Sequence, residues 1–172
     1  FQTMKLFGSK VAFLPMGGSG KAWQEEGSKE YLTLVSRLRT AGQMAKEAGV
    51  TIGIRTGMGA KFDKKLLKKV GSSQIKVYYN FQDAADHHRD ICKELRKLGA
   101  QRIVQIHASN TDSVNLQEDP EINLPKIRKT LDKMKWSGWL VVERSRDVKR
   151  VRDVKYNFGR NIAYLKQVFQ ER

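Results

Sequence analysis

Short apolar runs alternate along this chain with longer segments in which apolar residues recur every three or four positions. The short runs are rich in β-branched and aromatic residues and are bounded by turn residues or by a helical pattern, which predicts strands. The predicted strands are 10–14, 50–54, 75–79, 102–106 and 139–142. Their mainly apolar composition is typical of strands that are buried on both faces.

The longer segments carry the apolar stripe of amphipathic helices. The first stripe starts at Tyr31, and its helix stops before Gly49, because glycine readily adopts the left-handed conformation that ends helices. The stripes lie within 31–45, 66–70, 91–98, 127–134 and about 158–169. Strands that start about 25 to 40 residues apart and alternate with helices indicate parallel βα repeats joined by right-handed crossovers.

The fold class is therefore α/β, and the repeats predict a partial TIM barrel of about five βα units. A closed barrel has eight units and needs about 200 to 250 residues, whereas this chain has 172. An open doubly wound sheet is the alternative. Five strands leave two open edges, which invite association, so we expect a homo-oligomer that completes or caps the barrel. Residues 1–3 look like a tag remnant before Met4, which leaves 4–172 as one domain.

Charge and composition limit the function classes. Thirty-three Lys and Arg against 18 Asp and Glu give a net charge of +15, which attracts polyanions without specificity. The basic runs lack interleaved aromatic residues, so we expect no specific nucleic-acid recognition. We expect no membrane span either, because the apolar runs are too short, and the protein should be soluble, and cytoplasmic if it is expressed as read. Cys92 is the only cysteine, which excludes an intramolecular disulfide.

One polar residue closes each of the last four predicted strands: Arg55, Asn80, His107 and Glu143. The carboxyl ends of parallel strands meet at one edge of the sheet, so these side chains should share a rim. A neutral imidazole and a carboxylate are ordinary ligands of divalent metals, and Asn80 could add a weak carbonyl oxygen. Arg55 cannot ligate a metal. In the alternative interpretation Arg55 and Glu143 form an ion pair, and His107 and Asn80 bond to loops.

Three loop residues are further candidates for substrate binding. Lys21 follows a glycine cluster and could neutralise an anionic substrate, although a flexible loop is the simpler interpretation. Asn110 lies in a polar loop after His107 that could bond to sugar hydroxyls or could merely form a turn. Arg144 follows Glu143 directly. The neighbouring pair 87–88, two histidines at the predicted start of a helix, is read as a solvated helix end.

Four segments carry a resemblance to a known family: AKEAGVTIGI (45–54), IVQIH (103–107), GWLVVE (138–143) and NIAYLK (161–166). In this order they resemble the xylose-isomerase-like barrel family of sugar phosphate isomerases and epimerases, over about residues 6–170. The resemblance implies a divalent cation, Mn²⁺, Mg²⁺ or Zn²⁺, held by a glutamate, an aspartate, a histidine and a second glutamate. It implies also that the two glutamates shuttle a proton next to a carbonyl group.

Two of the four family positions match. His107 and Glu143 stand at the histidine and second glutamate, which makes them the predicted metal ligands and catalytic residues. Arg55 stands where the first glutamate would be, and Asn80 stands where the aspartate would be. Arg55, Asn80, Lys21, Asn110 and Arg144 are the predicted substrate-binding residues.

We therefore expect a sugar phosphate isomerase or epimerase relative that acts on a small sugar or sugar phosphate. The two departures, together with the absent first three βα units, indicate a truncated or engineered half-barrel with an impaired metal site. A non-catalytic scaffold or designed fragment is the alternative. The basic charge offers a second alternative, which is non-specific binding of polyanions.

Overall fold

The computed structural model describes residues 1–16, 22–109 and 112–171. Within them, five strands form one sheet in which every neighbouring pair is parallel. The strands are β1 (Val11–Pro15), β2 (Thr51–Arg55), β3 (Ile75–Asn80), β4 (Ile103–His107) and β5 (Trp139–Val141). They lie side by side in chain order, without the reversal that defines a doubly wound sheet. The predicted partial TIM barrel is confirmed as a half-barrel, and the doubly wound alternative is wrong.

Helices connect the strands and cover one face of the sheet. They are α1 (Gln2–Leu6), α2 (Lys29–Ala48), α3 (Ala60–Val70), α4 (Phe81–Ala85), α5 (Ile91–Leu98), α6 (Leu124–Lys133) and α7 (Val154–Phe169). Short 3-10 turns lie at Ala22–Gln24, Ala100–Arg102 and Val148–Arg150. Among the described helices, none is both long and apolar enough to cross a membrane.

Two sequence-based details are wrong. The last helix begins at Val154 rather than near Phe158, because the Asp153 side chain accepts a hydrogen bond from the Tyr156 backbone N–H and caps the helix earlier. His87 and His88 follow the end of α4 instead of opening a helix. The residue that opens the next helix is Asp90, whose side chain caps α5.

Helix α2 illustrates how the helices dock on the sheet. Its first turn is capped by Ser28, whose hydroxyl accepts a hydrogen bond from the Tyr31 N–H, and it ends at Gly49 in the left-handed conformation, as predicted. Gly42 lies so close to the next unit that a Cβ atom there would stand 2.4 Å from the Ser72 hydroxyl. This helix therefore fixes the spacing between the first two βα units.

The two faces of the sheet differ. The outer face and the helices form the main core, in which Ile54, Val77, Tyr79 and Ile106 are buried. The inner face would line a closed barrel, and it carries Phe13, Gly53, Tyr78 and His107. A Cβ atom on Gly53 would meet Val104 and Tyr78, so this glycine makes room for the ring of Tyr78. Cys92 is buried in the core.

Among the described strands, β1 and β5 each lack an outer neighbour in the sheet, and both expose apolar side chains. On β1, Phe13 and Leu14 are each 40% exposed, and on β5 Trp139 is 74% exposed. A groove of about 450 Å³ runs between β1 and α2, and a groove of about 820 Å³ runs between β5 and α7.

The loop after β2 depends on a buried carboxyl group. Asp63 is only 5% exposed, and it accepts a hydrogen bond from the Thr56 hydroxyl. Burial raises the pKa of Asp63 to about 7, and the bond from Thr56 offsets part of that rise. The folded protein therefore holds a proton on Asp63 at pH values where the unfolded chain releases it.

This proton makes stability depend on pH. Between about pH 4 and pH 7 the native state binds one more proton than the unfolded state, so the free energy of unfolding should fall as the pH rises. Asp63→Asn should flatten this slope and should be more stable than the wild type at pH 8, as urea denaturation at several pH values can measure. A slope that is the same in both proteins would contradict the assignment.

Candidate ligand site at the strand ends

The four strand-end residues meet at one rim, as their positions on parallel strands predict. Asn80 and His107 are direct partners in the β3–β4 ladder, and the Asn80 amide nitrogen lies 3.4 Å from His107 Nδ1. The Glu143 carboxylate lies 3.2 Å from His107 Nδ1 and 4.0 Å from an Arg55 guanidinium nitrogen. These contacts join three strands and the segment after β5 into one polar cluster.

The main partner of Arg55 is Asp83, which the sequence analysis missed. Two guanidinium nitrogens of Arg55 donate to the two Asp83 oxygens at 2.9 and 2.7 Å. The Asp83 hydrogen bonds are the largest cause of a raised pKa of Arg55. Arg55 thus contacts Glu143, as predicted, but at 4.0 Å, a longer distance than the 2.7 Å that separates it from Asp83.

A local signal positions Asp83. Asn80 caps α4, since its side-chain oxygen accepts a hydrogen bond from the Gln82 N–H at 2.8 Å. Asp83 comes three residues later, in the first turn of the helix, where the helix dipole stabilises a negatively charged carboxylate. An acidic residue three positions after an Asn that ends a strand was therefore the pattern that could have predicted this partner.

His107 is packed as an aromatic ring and is buried. Its ring lies 4.4 Å from the Tyr78 ring and 5.2 Å from the Phe13 ring, measured between centroids. Burial is the largest cause of a lowered pKa of His107, and Arg55 adds to the lowering while Glu143 opposes it. The imidazole is therefore neutral at pH 7.

The neutral imidazole has one hydrogen for Nδ1 or Nε2. The Asn80 oxygen is engaged by Gln82, so its NH₂ group faces Nδ1. Nδ1 can accept from Asn80 or donate to Glu143, and the contact to Glu143 is shorter and charge-assisted. We assign the hydrogen to Nδ1, where it orients the Glu143 carboxylate.

The residues present do not fit a divalent cation. Among the described residues, no three His, Cys, Asp or Glu side chains cluster as metal ligands. Asn80 turns its donor group, rather than its oxygen, toward His107. The guanidinium of Arg55 lies against Glu143 and supplies a fixed positive charge near one of the two remaining ligands. The predicted ligands His107 and Glu143 are brought together, but Arg55 and Asn80 complete no metal site around them.

A second polar group lies at the same end of the sheet, beyond β4 and β5. The guanidinium groups of Arg144 and Arg146 both bind the Asp112 carboxylate. Hydrogen bonds from Arg146, and then from Arg144, lower the pKa of Asp112 to about 2. Of the other predicted loop residues, Lys21 and Asn110 lie outside the described residues.

Three buried asparagines hold the loop that carries these arginines. Asn115 donates to the Ser145 carbonyl oxygen and to Asn157, and Asn161 donates to the Ser145 carbonyl oxygen at 2.7 Å. Asn157 accepts from the Asp147 N–H and donates to the Arg150 carbonyl oxygen. All three side chains are at most 2% exposed. The sequence analysis did not find this network, because its members are separated by up to 46 positions.

Comparisons with known proteins agree with this architecture. The family model of the xylose isomerase-like TIM barrel matches residues 1–168. A xylose isomerase domain protein from Planctomyces limnophilus is 16% identical with a TM-score of 0.74, and the match covers 97% of this chain and 64% of that one. A D-psicose 3-epimerase from Clostridium cellulolyticum H10, solved with D-tagatose, is 13% identical with a TM-score of 0.75 over 96% of this chain and 66% of that one.

A family 2 AP endonuclease from Brucella melitensis is 14% identical, with a TM-score of 0.71 over 92% of this chain and 64% of that one. No curated protein matches the chain. The chain spans about two thirds of the length of these solved structures, and at such low identity the likeness shows the fold alone. The family model covers nearly the whole sequence, and this chain therefore belongs to the xylose isomerase-like TIM barrel family.

Proposed function

We propose that this chain binds a small sugar or sugar phosphate at the strand-end rim without a divalent metal, as an isomerase or epimerase relative with an impaired metal site. The observation that carries the proposal is the position of Arg55, which binds Asp83 through two hydrogen bonds and lies 4.0 Å from Glu143. A guanidinium in this position supplies the positive charge that a bound cation would otherwise supply.

The chemistry of the rim suits a polyhydroxy ligand. Arg55 and the Glu143 carboxylate offer a donor and an acceptor side by side, with the buried Asn80 and His107 behind them, and the partly exposed ring of Phe13 gives an apolar surface beside them. A sugar presents the same combination of hydroxyl groups and apolar C–H faces. Solved proteins with this fold include an epimerase crystallised with D-tagatose, which makes keto sugars the first ligands to test.

Catalysis by this rim would rest on Glu143 and His107. Glu143 combines a contact to the neutral imidazole of His107 with an exposed fraction of 43%, so it is the candidate for removing a proton. Arg55 could stabilise negative charge that develops on a substrate oxygen. Isomerisation or epimerisation at this rim uses these groups and no metal ion.

Sugar binding in the presence of a chelator tests the proposal. NMR titration with D-tagatose or D-psicose in EDTA should shift the His107 ring signals. Arg55→Gln should weaken binding about tenfold or more, since it removes charge-assisted hydrogen bonds of about 1.5 to 3 kcal/mol. Arg96→Gln, which removes an exposed charge from α5, is the matched control. Binding that requires added Mn²⁺, or no shift with any keto sugar, would reject metal-free recognition.

A second experiment tests the impaired metal site. The double variant Arg55→Glu with Asn80→Asp supplies the two missing carboxylates, so it should gain Mn²⁺ binding, whereas the wild type should bind no Mn²⁺ at millimolar concentration. At a hundredfold excess over Kd the metal should stabilise the variant by about 2.7 kcal/mol, as thermal denaturation can measure. Arg96→Glu with Asn80→Asp controls for the charge change. Micromolar Mn²⁺ binding by the wild type, lost in Glu143→Gln, would contradict the proposal.

We also propose that copies of the chain associate through the open edges of the sheet. The exposed Trp139 and the apolar groove beside β5 support a second copy of the chain as the partner. Light scattering at about 0.15 M salt, where charge repulsion is screened, should give a molar mass of at least twice the 19.7 kDa of one chain. Trp139→Lys should reduce the molar mass, whereas Leu32→Lys, at an exposed position of α2, should not. A monomeric wild type at micromolar concentration would exclude this assembly.

A further inference from the structure

Two arginines on one loop converge on a single carboxylate. Arg144 donates to Asp112 at 2.9 Å from Nη2, and Arg146 donates at 2.8 Å from Nε, with further bonds from the second nitrogen of each fork. Four N–H donors from two guanidinium groups thus surround one anion. Each arginine remains about a third to a half exposed, with 45% for Arg144 and 33% for Arg146.

The backbone forces this convergence. In an extended segment, side chains two residues apart share a face but do not turn toward one point. Ser145, between the two arginines, has a φ of 74°, which lies in the left-handed region that a residue with a Cβ atom rarely adopts. Its carbonyl oxygen accepts from Asn161 and Asn115. The buried amides therefore hold the loop in the shape that brings both guanidinium groups together.

The charges of this group do not balance. Two fixed positive charges face one negative charge, since Asp112 is the partner of both arginines. The nearest acidic residues in the sequence have other partners: Glu143 contacts His107, Asp147 caps a 3-10 turn, and Asp153 pairs with Arg150. An incoming group with two negative charges would match the two arginines better than Asp112 does.

We propose that Arg144 and Arg146 form a binding site for a phosphate dianion, such as the phosphoryl group of a phosphate monoester, and that Asp112 occupies this site as an internal placeholder. Arginine forks bind carboxylate and phosphate oxygens with the same paired geometry, so a site that holds the one can hold the other. A phosphate brings three oxygens and a second charge, and it displaces Asp112.

The position of the site suggests the rest of the ligand. The loops after the last two strands lie at the end of the half-barrel that carries His107 and Glu143, and loops after the last strands of such barrels often bind phosphate. The inference goes beyond sugar binding at Arg55 and does not require it. A phosphodiester has one charge per phosphate, so nucleic acid should bind this site less well than a monoester does.

Calorimetric titration with inorganic phosphate and with glycerol phosphate, at constant ionic strength, tests the site. Arg144→Gln with Arg146→Gln should weaken both ligands about tenfold or more, because it removes charge-assisted hydrogen bonds. Lys149→Gln with Arg152→Gln removes the same charge from exposed positions of the same loop and should change binding little. Equal losses in both double variants would show bulk electrostatic attraction and would overturn the proposal.

Two further variants test whether Asp112 competes with phosphate for the site, and whether the paired geometry of Arg146 matters beyond its charge. Asp112→Asn should tighten phosphate binding about tenfold, because the competing carboxylate loses its charge. Arg146→Lys keeps the positive charge but loses the paired N–H donors of the guanidinium, so it should weaken phosphate binding. Unchanged or weaker binding by Asp112→Asn, or unchanged binding by Arg146→Lys, would overturn the assignment.

Controls with other ligands separate this site from the sugar site. Arg55→Gln should leave the affinity for inorganic phosphate as it is, and the Arg144/Arg146 double variant should leave the affinity for a neutral keto sugar as it is. Sulfate should compete with phosphate, whereas chloride at equal ionic strength should not. Duplex DNA that binds as tightly as glycerol phosphate, through the same two arginines, would contradict a monoester site.

Discussion

The bond between the Arg55 guanidinium and the Asp83 carboxylate fixes the chemistry of the whole rim. It places a permanent positive charge at the carboxyl end of β2, beside Glu143 and across from His107. A guanidinium keeps its proton under all ordinary conditions, so this charge cannot be released to make room for a metal. Arg55 directs two hydrogen bonds to the Asp83 carboxylate, and Glu143 keeps its contact to the neutral His107.

The strength of this pair lies between two limits. Breaking a fully buried ion pair costs about 3 to 5 kcal/mol, while exposed pairs contribute about 0 to 1 kcal/mol. The side chains of Arg55 and Asp83 are 25% and 20% exposed, so solvent screens part of the interaction. The main effect of the pair is on geometry, because it links the end of β2 to the first turn of α4, which follows β3, at the proposed ligand site.

Much of the fold and part of the site follow from local patterns. The five strands were predictable because short apolar runs alternate with amphipathic helices, and right-handed crossovers leave few arrangements for such repeats. The shared rim followed from the parallel direction of the strands. Asp83 was missed because its role depends on a helix cap formed by Asn80, and the start of α7 was missed because Asp153 caps it early. The network of Asn115, Asn157 and Asn161 depends on contacts between distant loops, which no local pattern predicts.

Diffraction from crystals grown with excess Mn²⁺, recorded near the manganese absorption edge, tests the central claim most directly. We expect no anomalous peak between His107 and Glu143, and we expect the Arg55 guanidinium to remain hydrogen-bonded to Asp83. An anomalous peak between those two side chains, with Arg55 turned away from Glu143, would contradict it.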